Sequence, residues 1–243
     1  MVEIERIQTG IPGLDPLIGG GLIKKSTTLI AGGPGTGKTV AVLQMTNNFL
    51  KQGKKGFFLS LESDTDKIFQ YADTIGLDLK KYATERQLIV AAPRSEKIYV
   101  ENIVDDIVSI SSTLDFIIID SMTKLLEIAS FLVKEKEMKD EEEIEVIKSE
   151  RELTRQDYWR FILMLQQRLI NKNVTLIFVG ESEDSGQKIT VEGVAEYEAD
   201  CVIFLKKDET TGKRKLIVEK MRGTNIDIVP KNLTFTPNGI KVG

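Results

Sequence analysis

The chain has 243 residues, 41% of them hydrophobic, enough to bury a sizeable core as one large α/β domain without a linker. Its 33 Lys and Arg against 37 Asp and Glu leave a net charge of −4, so no overall basic field draws it to nucleic acid or to an anionic membrane. There is no histidine, which removes His-based proton transfer and His metal sites, and a single Cys201, which rules out an internal disulfide and fits a reducing compartment.

Residues 7–22 form a Gly/Pro-rich lead-in with turns at Pro12-Gly13 and Gly19-Gly20-Gly21. Thr27–Ala31 reads as a buried strand, followed by a helix from Lys38 to about Gln52 with Ala41, Leu43, Met45, Phe49 and Leu50 as its apolar positions. Gly56–Leu61 is a second strand stopped by Glu62. Ser63 and Asp66 suggest a capping box for a helix running to Ile75, and Leu77–Tyr82 a further helical turn. Gln87–Ala91 is a third strand and Tyr99–Ser112 an amphipathic helix with Ile103, Ile107 and Ile110 on one face. Asp115–Asp120 is a fourth strand, too apolar on both sides to lie at an edge.

Residues 122–133 read as an apolar helical stretch, leading into a charged helical insertion over 134–155. Gln156–Asn171 resumes as an amphipathic helix and Val174–Val179 is a fifth strand. Cys201–Leu205 and Lys213–Lys220 read as strands around a Thr211-Gly212 turn, and Leu233–Phe235 with Gly239–Val242 as a closing hairpin. Alternating strands and helices up to residue 179 predict a mostly parallel sheet with helices on both faces, and the strand-only C-terminus an antiparallel extension of it. No internal repeat is visible, so residues 1–243 are expected to form one nucleotide domain.

The stretch Ala31–Thr39, AGGPGTGKT, carries the chemistry. Gly32, Gly37, Lys38 and Thr39 fit G-x-x-x-x-G-K-[ST], with a strand before and a helix after. A Gly-rich turn aims several backbone N–H groups at one point, and the helix that follows adds the positive end of its dipole. Gly33, Pro34, Gly35, Thr36, Gly37, Lys38, Thr39 and Val40 are therefore the candidate phosphate cradle. In it Lys38 would reach the terminal phosphates and the Thr39 hydroxyl would ligate Mg²⁺.

With this loop, the lead-in TGIPGLDPLIGGGL, Gly193–Asp200 (GVAEYEAD) and Glu219–Thr224 (EKMRGT) resemble the RecA superfamily, and within it the KaiC-type ATPases. The likeness spans most of the chain and departs from the family over 130–156. It implies a RecA-like P-loop fold and Mg²⁺-dependent hydrolysis of ATP. It also implies a homo-oligomeric ring, expected to be a hexamer, with each active site completed in trans. By this resemblance DFIIID is the Walker B strand, and Asp120 holds water on Mg²⁺; as a residue it would serve equally as the N-cap of the next helix.

Glu62 resembles the general base that polarises the attacking water. The family has two consecutive acidic residues here, whereas this chain has Glu62-Ser63; the bland alternative is an ordinary strand-end Glu. One carboxylate suffices to orient a water and accept its proton. Lys220 and Arg222 resemble the pair that such subunits project into a neighbour's site, where a cation stabilises charge on the phosphoryl group; otherwise they are two solvated cations. The His that can follow them in the family is replaced by Ile226. Glu181 stands where RecA-type proteins sense the γ-phosphate, or it caps its loop.

Residues 134–155 carry nine acidic and six basic side chains, which suit either a solvated helix laced with i,i+4 pairs or an acidic arm for a protein partner. The loop Glu183–Glu192 has Glu183, Asp184 and Glu192 against Lys188. Both fall where recombinases contact DNA, so a DNA-binding role as a RadA-type accessory factor is disfavoured. An ATP-gated scaffold with little hydrolysis is the other alternative. Cys201 is expected in the core and Trp159 in the core or at a subunit interface; Tyr71 and Tyr82 are weak candidates to flank a base. No apolar h-region opens the chain and no run of about 18 apolar residues occurs, so no membrane is expected and the location expected is cytoplasmic.

Overall fold

The computed structural model describes residues 4–93, 98–139, 142–182, 189–190 and 193–243. The lead-in folds into β1 (Arg6–Ile7), the short helix α1 (Leu14–Leu17) and β2 (Leu22–Ile23), and β1 pairs antiparallel with β2. Next come β3 (Thr27–Gly32), α2 (Lys38–Lys51), β4 (Gly56–Ser60), α3 (Thr65–Thr74), α4 (Leu79–Thr84) and β5 (Leu88–Ala91). The middle of the chain holds β6 (Ile98–Tyr99), α5 (Val100–Ile110), β7 (Phe116–Asp120), α6 (Met122–Ile128), β8 (Ala129–Lys139), β9 (Glu142–Glu152), α7 (Arg155–Leu169) and β10 (Thr175–Glu181). After α8 (Ala195–Glu198) only strands follow: β11 (Cys201–Lys207), β12 (Arg214–Met221), β13 (Lys231–Thr236) and β14 (Gly239–Val242).

Nine strands form one sheet in the order β14-β13-β12-β11-β3-β10-β7-β4-β5. From β11 to β5 every pairing is parallel, and β12, β13 and β14 extend the sheet antiparallel. β3, β7 and β10 lie inside the sheet, and their apolar runs alternate between its two faces, as the two-residue period of a strand requires. Ile30, Phe58, Ile118 and Ile177 point to one layer, where they pack on Val42, Met45 and Phe49 of α2 and Ile68 of α3. Leu29, Phe57, Ile117 and Phe178 point to the other, against Val104 and Ile107 of α5 and Phe161 and Leu165 of α7. Gly56 is required by close approach: a Cβ there would lie 2.0 Å from the Phe116 ring, which itself stands edge-on to Phe49 with centroids 5.1 Å apart.

Two expectations need correction. The charged insertion is not helical. The apolar helix ends at Ile128, and β8 and β9 form a long antiparallel hairpin that pairs from Ser130↔Glu152 to Lys139↔Glu142, with one register shift between Val133 and Lys134. Alternating Ile144 and Val146 with charged neighbours suits a two-faced ribbon as well as the i,i+4 charges suit a helix, and cross-strand partners far apart in sequence decide between them. The cap of α3 is also shifted: Asp64, not Ser63, accepts from the Lys67 N–H at 2.9 Å. The Ser63 N–H instead donates to Ser60 Oγ at 3.1 Å.

Candidate nucleotide site

The phosphate loop leaves β3 at its C-terminal end, in the middle of the sheet. Gly35 and Gly37 take φ of +68° and +109°, a left-handed region that side chains avoid, and this lets the loop curl back over the start of α2. Thr36, almost fully buried, locks the curl by donating to Gly33 O at 2.8 Å. The resulting cleft holds about 490 Å³ and is lined by the loop, Glu62, Glu181, Arg214 and Phe235.

Lys38 is 9% exposed, and its Nζ donates to Gly32 O at 2.8 Å and Gly33 O at 3.0 Å, with Glu181 Oε1 3.8 Å away. Burial pushes its ammonium below the ordinary value, while the charges of Glu181, Glu62 and Asp120 pull it back up. Strand register sets the carboxylates beside it: β7 lies between β4 and β10, pairing Asp120 with Ser60 on one side and with Val179 on the other. Asp120, Glu62 and Glu181 therefore leave adjacent strands at the same end. Glu62 Oε1 accepts a short hydrogen bond from Ser121 Oγ, and the Glu181 N–H donates to Thr123 Oγ1 at 2.9 Å. Ser121, not Asp120, is the N-cap of α6, accepting from the Lys124 N–H, and the Asp120–Ser121 peptide bond is cis.

Asp120 is buried, and burial, reinforced by the Glu62 charge, pushes its carboxyl up to about 7, against the pull of the Thr39 hydroxyl and Lys38. Its Oδ2 accepts from Thr39 Oγ1 at 3.1 Å, and its Oδ1 has no hydrogen-bond partner among the described residues. A buried carboxylate oxygen without a partner, next to a threonine hydroxyl and a phosphate loop, is the donor set a hard divalent cation takes. Mg²⁺ fits these residues.

Lys220 and Arg222 are not brought to this cleft. Met221 pairs with Cys201, which pairs with Thr28, whereas the loop begins beyond Gly32. The two cations thus stand at the opposite end of the strands, roughly 10–17 Å along them from their own phosphate loop. Lys220 Nζ donates to Glu196 O at 3.2 Å and Tyr197 O at 3.0 Å, and Arg222 NH1 to Asp200 Oδ1 at 3.0 Å. Burial and then the Arg222 charge lower the Lys220 pKa.

Arg214 and Phe235 are absent from the residues the sequence singles out. The Arg214 guanidinium stands 4.7 Å from the Phe235 ring centroid, its Nε donates to Gly35 O at 2.9 Å, and Phe235 covers Gly37. They come from strands nearly two hundred residues after the loop. Only the pairing of Arg214 with Leu233, two residues before Phe235, would have signalled their meeting. Tyr71 is exposed at 46%, Tyr82 packs on the core, and neither lines the cleft. Cys201 is buried as expected, while Trp159 is 41% exposed and donates to Glu198 Oε1 at 2.8 Å. Of the acidic loop Glu183–Glu192, residues 183–188 and 191–192 lie outside the described residues. Among those described, no helix is long and apolar enough to cross a membrane.

A central parallel sheet with this loop at the end of an inner strand, and an antiparallel C-terminal extension, defines a RecA-like P-loop ATPase fold. The chain belongs to the KaiC ATPase family, whose model, described as "ATPase: KaiC", matches residues 7–243. Its relatives include UPF0273 proteins of Pyrococcus furiosus, 29% identical over 98% of this chain and 94% of theirs, and of Pyrococcus horikoshii, 30% identical over 98% and 93%. It is similar to the crystal structure of a KaiC-like protein of Pyrococcus horikoshii, at a TM-score of 0.80 and 26% identity over 99% of this chain and 100% of that one.

Proposed function

We propose that the chain is a Mg²⁺-dependent ATPase that works as a homo-oligomeric ring, with each site shared between two subunits. The register of β12 carries this reading. Lys220 and Arg222 stand at the far end of the sheet from their own phosphate loop, which supports a role in a neighbour's site over one in their own. In each site the loop N–H groups and Lys38 bind the β- and γ-phosphates, and the Arg214–Phe235 stack receives the base. Thr39 and Asp120 would hold Mg²⁺, which when bound neutralises charge on the phosphate oxygens. Glu62 orients a water and accepts its proton at the carboxylate, with Ser121 fixing the carboxylate's position. Lys38, between Glu181 and the phosphates, carries the sensor's contact. Lys220 and Arg222 of the next subunit offset charge on the transferring group. Acidic side chains across 134–155 favour a protein partner over nucleic acid at that arm.

Turnover and particle size, measured with ATP, with and without Mg²⁺ and single-stranded DNA, test the reading. Expected are phosphate release that needs Mg²⁺, a ring-sized species that ATP stabilises, and indifference to DNA. ATP-dependent assembly without phosphate release would replace hydrolysis by a scaffold role. Salt-dependent DNA binding with stimulated turnover would favour the accessory-factor role.

A further inference from the structure

We infer that Asp200 is a positioning residue for Arg222, setting where that cation stands in the neighbouring subunit's site; the inference rests on the shared-site reading above. Asp200 is bonded through four groups at once. Its N–H donates to Thr27 O at 2.7 Å, and its carbonyl accepts from the Arg222 N–H at 2.9 Å. Its Oδ2 accepts from the Thr27 N–H at 2.9 Å, and its Oδ1 from Arg222 NH1 at 3.0 Å. Because Oδ2 is tied to the backbone at the first residue of β3, the plane of the carboxylate is fixed, and so is the direction Oδ1 offers to the guanidinium.

The rest of the turn is held as firmly. Arg6 NH2 donates to Thr224 Oγ1 at 2.6 Å, while its NH1 donates to Ile18 O at 2.9 Å and Gly21 O at 3.0 Å. Thr224 is thereby anchored to the lead-in on one side, and Arg222 to β3 on the other. Lys220 donates to the carbonyls of Glu196 and Tyr197, so both cations are referenced to the same stretch, 196–200.

The ion pair itself does little for the fold and much for position. The Arg222 side chain is 59% exposed, and an ion pair that open contributes little to stability. A displacement of only about 1 Å in a group that must meet a transition state costs up to about 10²-fold in rate. A carboxylate already ordered by β3 lets the guanidinium be placed with the freedom of only one side chain lost.

The test is a double-mutant cycle on kcat and KM with Arg222→Ala, Asp200→Asn and the double variant. Asn keeps an acceptor for the Thr27 N–H but loses the charge that Arg222 meets. Expected is a kcat for Asp200→Asn lowered about 10- to 100-fold with KM for ATP within about twofold, and a double variant no slower than Arg222→Ala alone. A double variant slower by the full Asp200→Asn factor makes the two independent and overturns the inference. So does full turnover of Asp200→Asn beside a crippled Arg222→Ala, which leaves the shared site standing. Full turnover of Arg222→Ala removes the shared-site reading and this inference with it. Should Asp200→Asn fail to fold, Asp200→Glu keeps the charge and moves it by one methylene. A lowered kcat at an unchanged melting temperature is then expected, and full turnover overturns the positional claim.

Discussion

Two inactive proteins should make one active one. Lys38→Ala removes phosphate binding from a protomer but leaves its Lys220 and Arg222 in place; Arg222→Ala does the reverse. On the shared-site reading the two half-sites stand at opposite ends of one sheet, so the two defects would fall in different composite sites. In a ring built at random from equal amounts, a site is intact when an Arg222→Ala protomer supplies the loop and a Lys38→Ala neighbour supplies the cations. Each condition has a chance of one half, so about a quarter of the sites work whatever the ring size, against nearly none in either parent ring. A trans cation is commonly worth about 10³–10⁵ in rate, so each parent alone gives a low background. The assay is phosphate release across a titration of the two proteins, disassembled by dilution and reassembled with ATP. Activity should follow a parabola peaking at equal amounts near 25% of wild type. A straight line between the two parents would refute both the trans geometry and the reasoning from register.

Glu62→Gln should bind ATP normally and lower turnover about 10²- to 10⁴-fold in single-turnover assays; unchanged turnover would exclude Glu62 as the base. Phe235→Ala removes the ring stacked with Arg214 and should weaken ATP about tenfold in a fluorescent-nucleotide titration, with kcat at saturation nearly unchanged. Unaltered affinity would put the base elsewhere. Asp157, buried at the start of α7, accepts from Arg151 NH2 at 2.8 Å and from the Thr154 N–H at 3.0 Å. Arg151, then Thr154, hold its carboxyl well below the usual range. A depressed folded value means this stability is present above the unfolded pKa of about 4 and is lost as pH falls further. Asp157→Asn should therefore cost about 1–2 kcal/mol in urea unfolding at pH 7 and almost nothing at the lowest pH where the protein still folds. An equal loss at both would show the charge to be irrelevant.

What the sequence makes legible here is what is local. The loop, its strand and its helix are contiguous, and DFIIID announces a buried strand by composition alone, so the position of the loop and of Asp120 at the strand end is readable within a few residues. The hairpin of β8 and β9 escapes because its charged residues satisfy a helical spacing equally well, and only pairing between Ser130 and Glu152 tells the two apart. Arg214 and Phe235 escape because nothing near either residue mentions the loop, and three antiparallel strands must be placed before they arrive over it. The cap of α3 misses by one residue. Ser63 and Asp64 are both good caps, and Ser60 ties the Ser63 backbone into the turn while Asp64 accepts from the Lys67 N–H.

The hairpin also divides the molecule electrically. Residues 129–152 contain five basic and nine acidic side chains; of the chain's 33 and 37, that leaves 28 of each sign. The body is therefore an isoelectric object, and the whole net charge of −4 rides on a ribbon some eleven residues long. Bodies of neighbouring copies can approach without net long-range repulsion, whereas ribbons repel one another over a screening length of about 8 Å at physiological salt. Added salt should act on the ribbons first, by screening that repulsion.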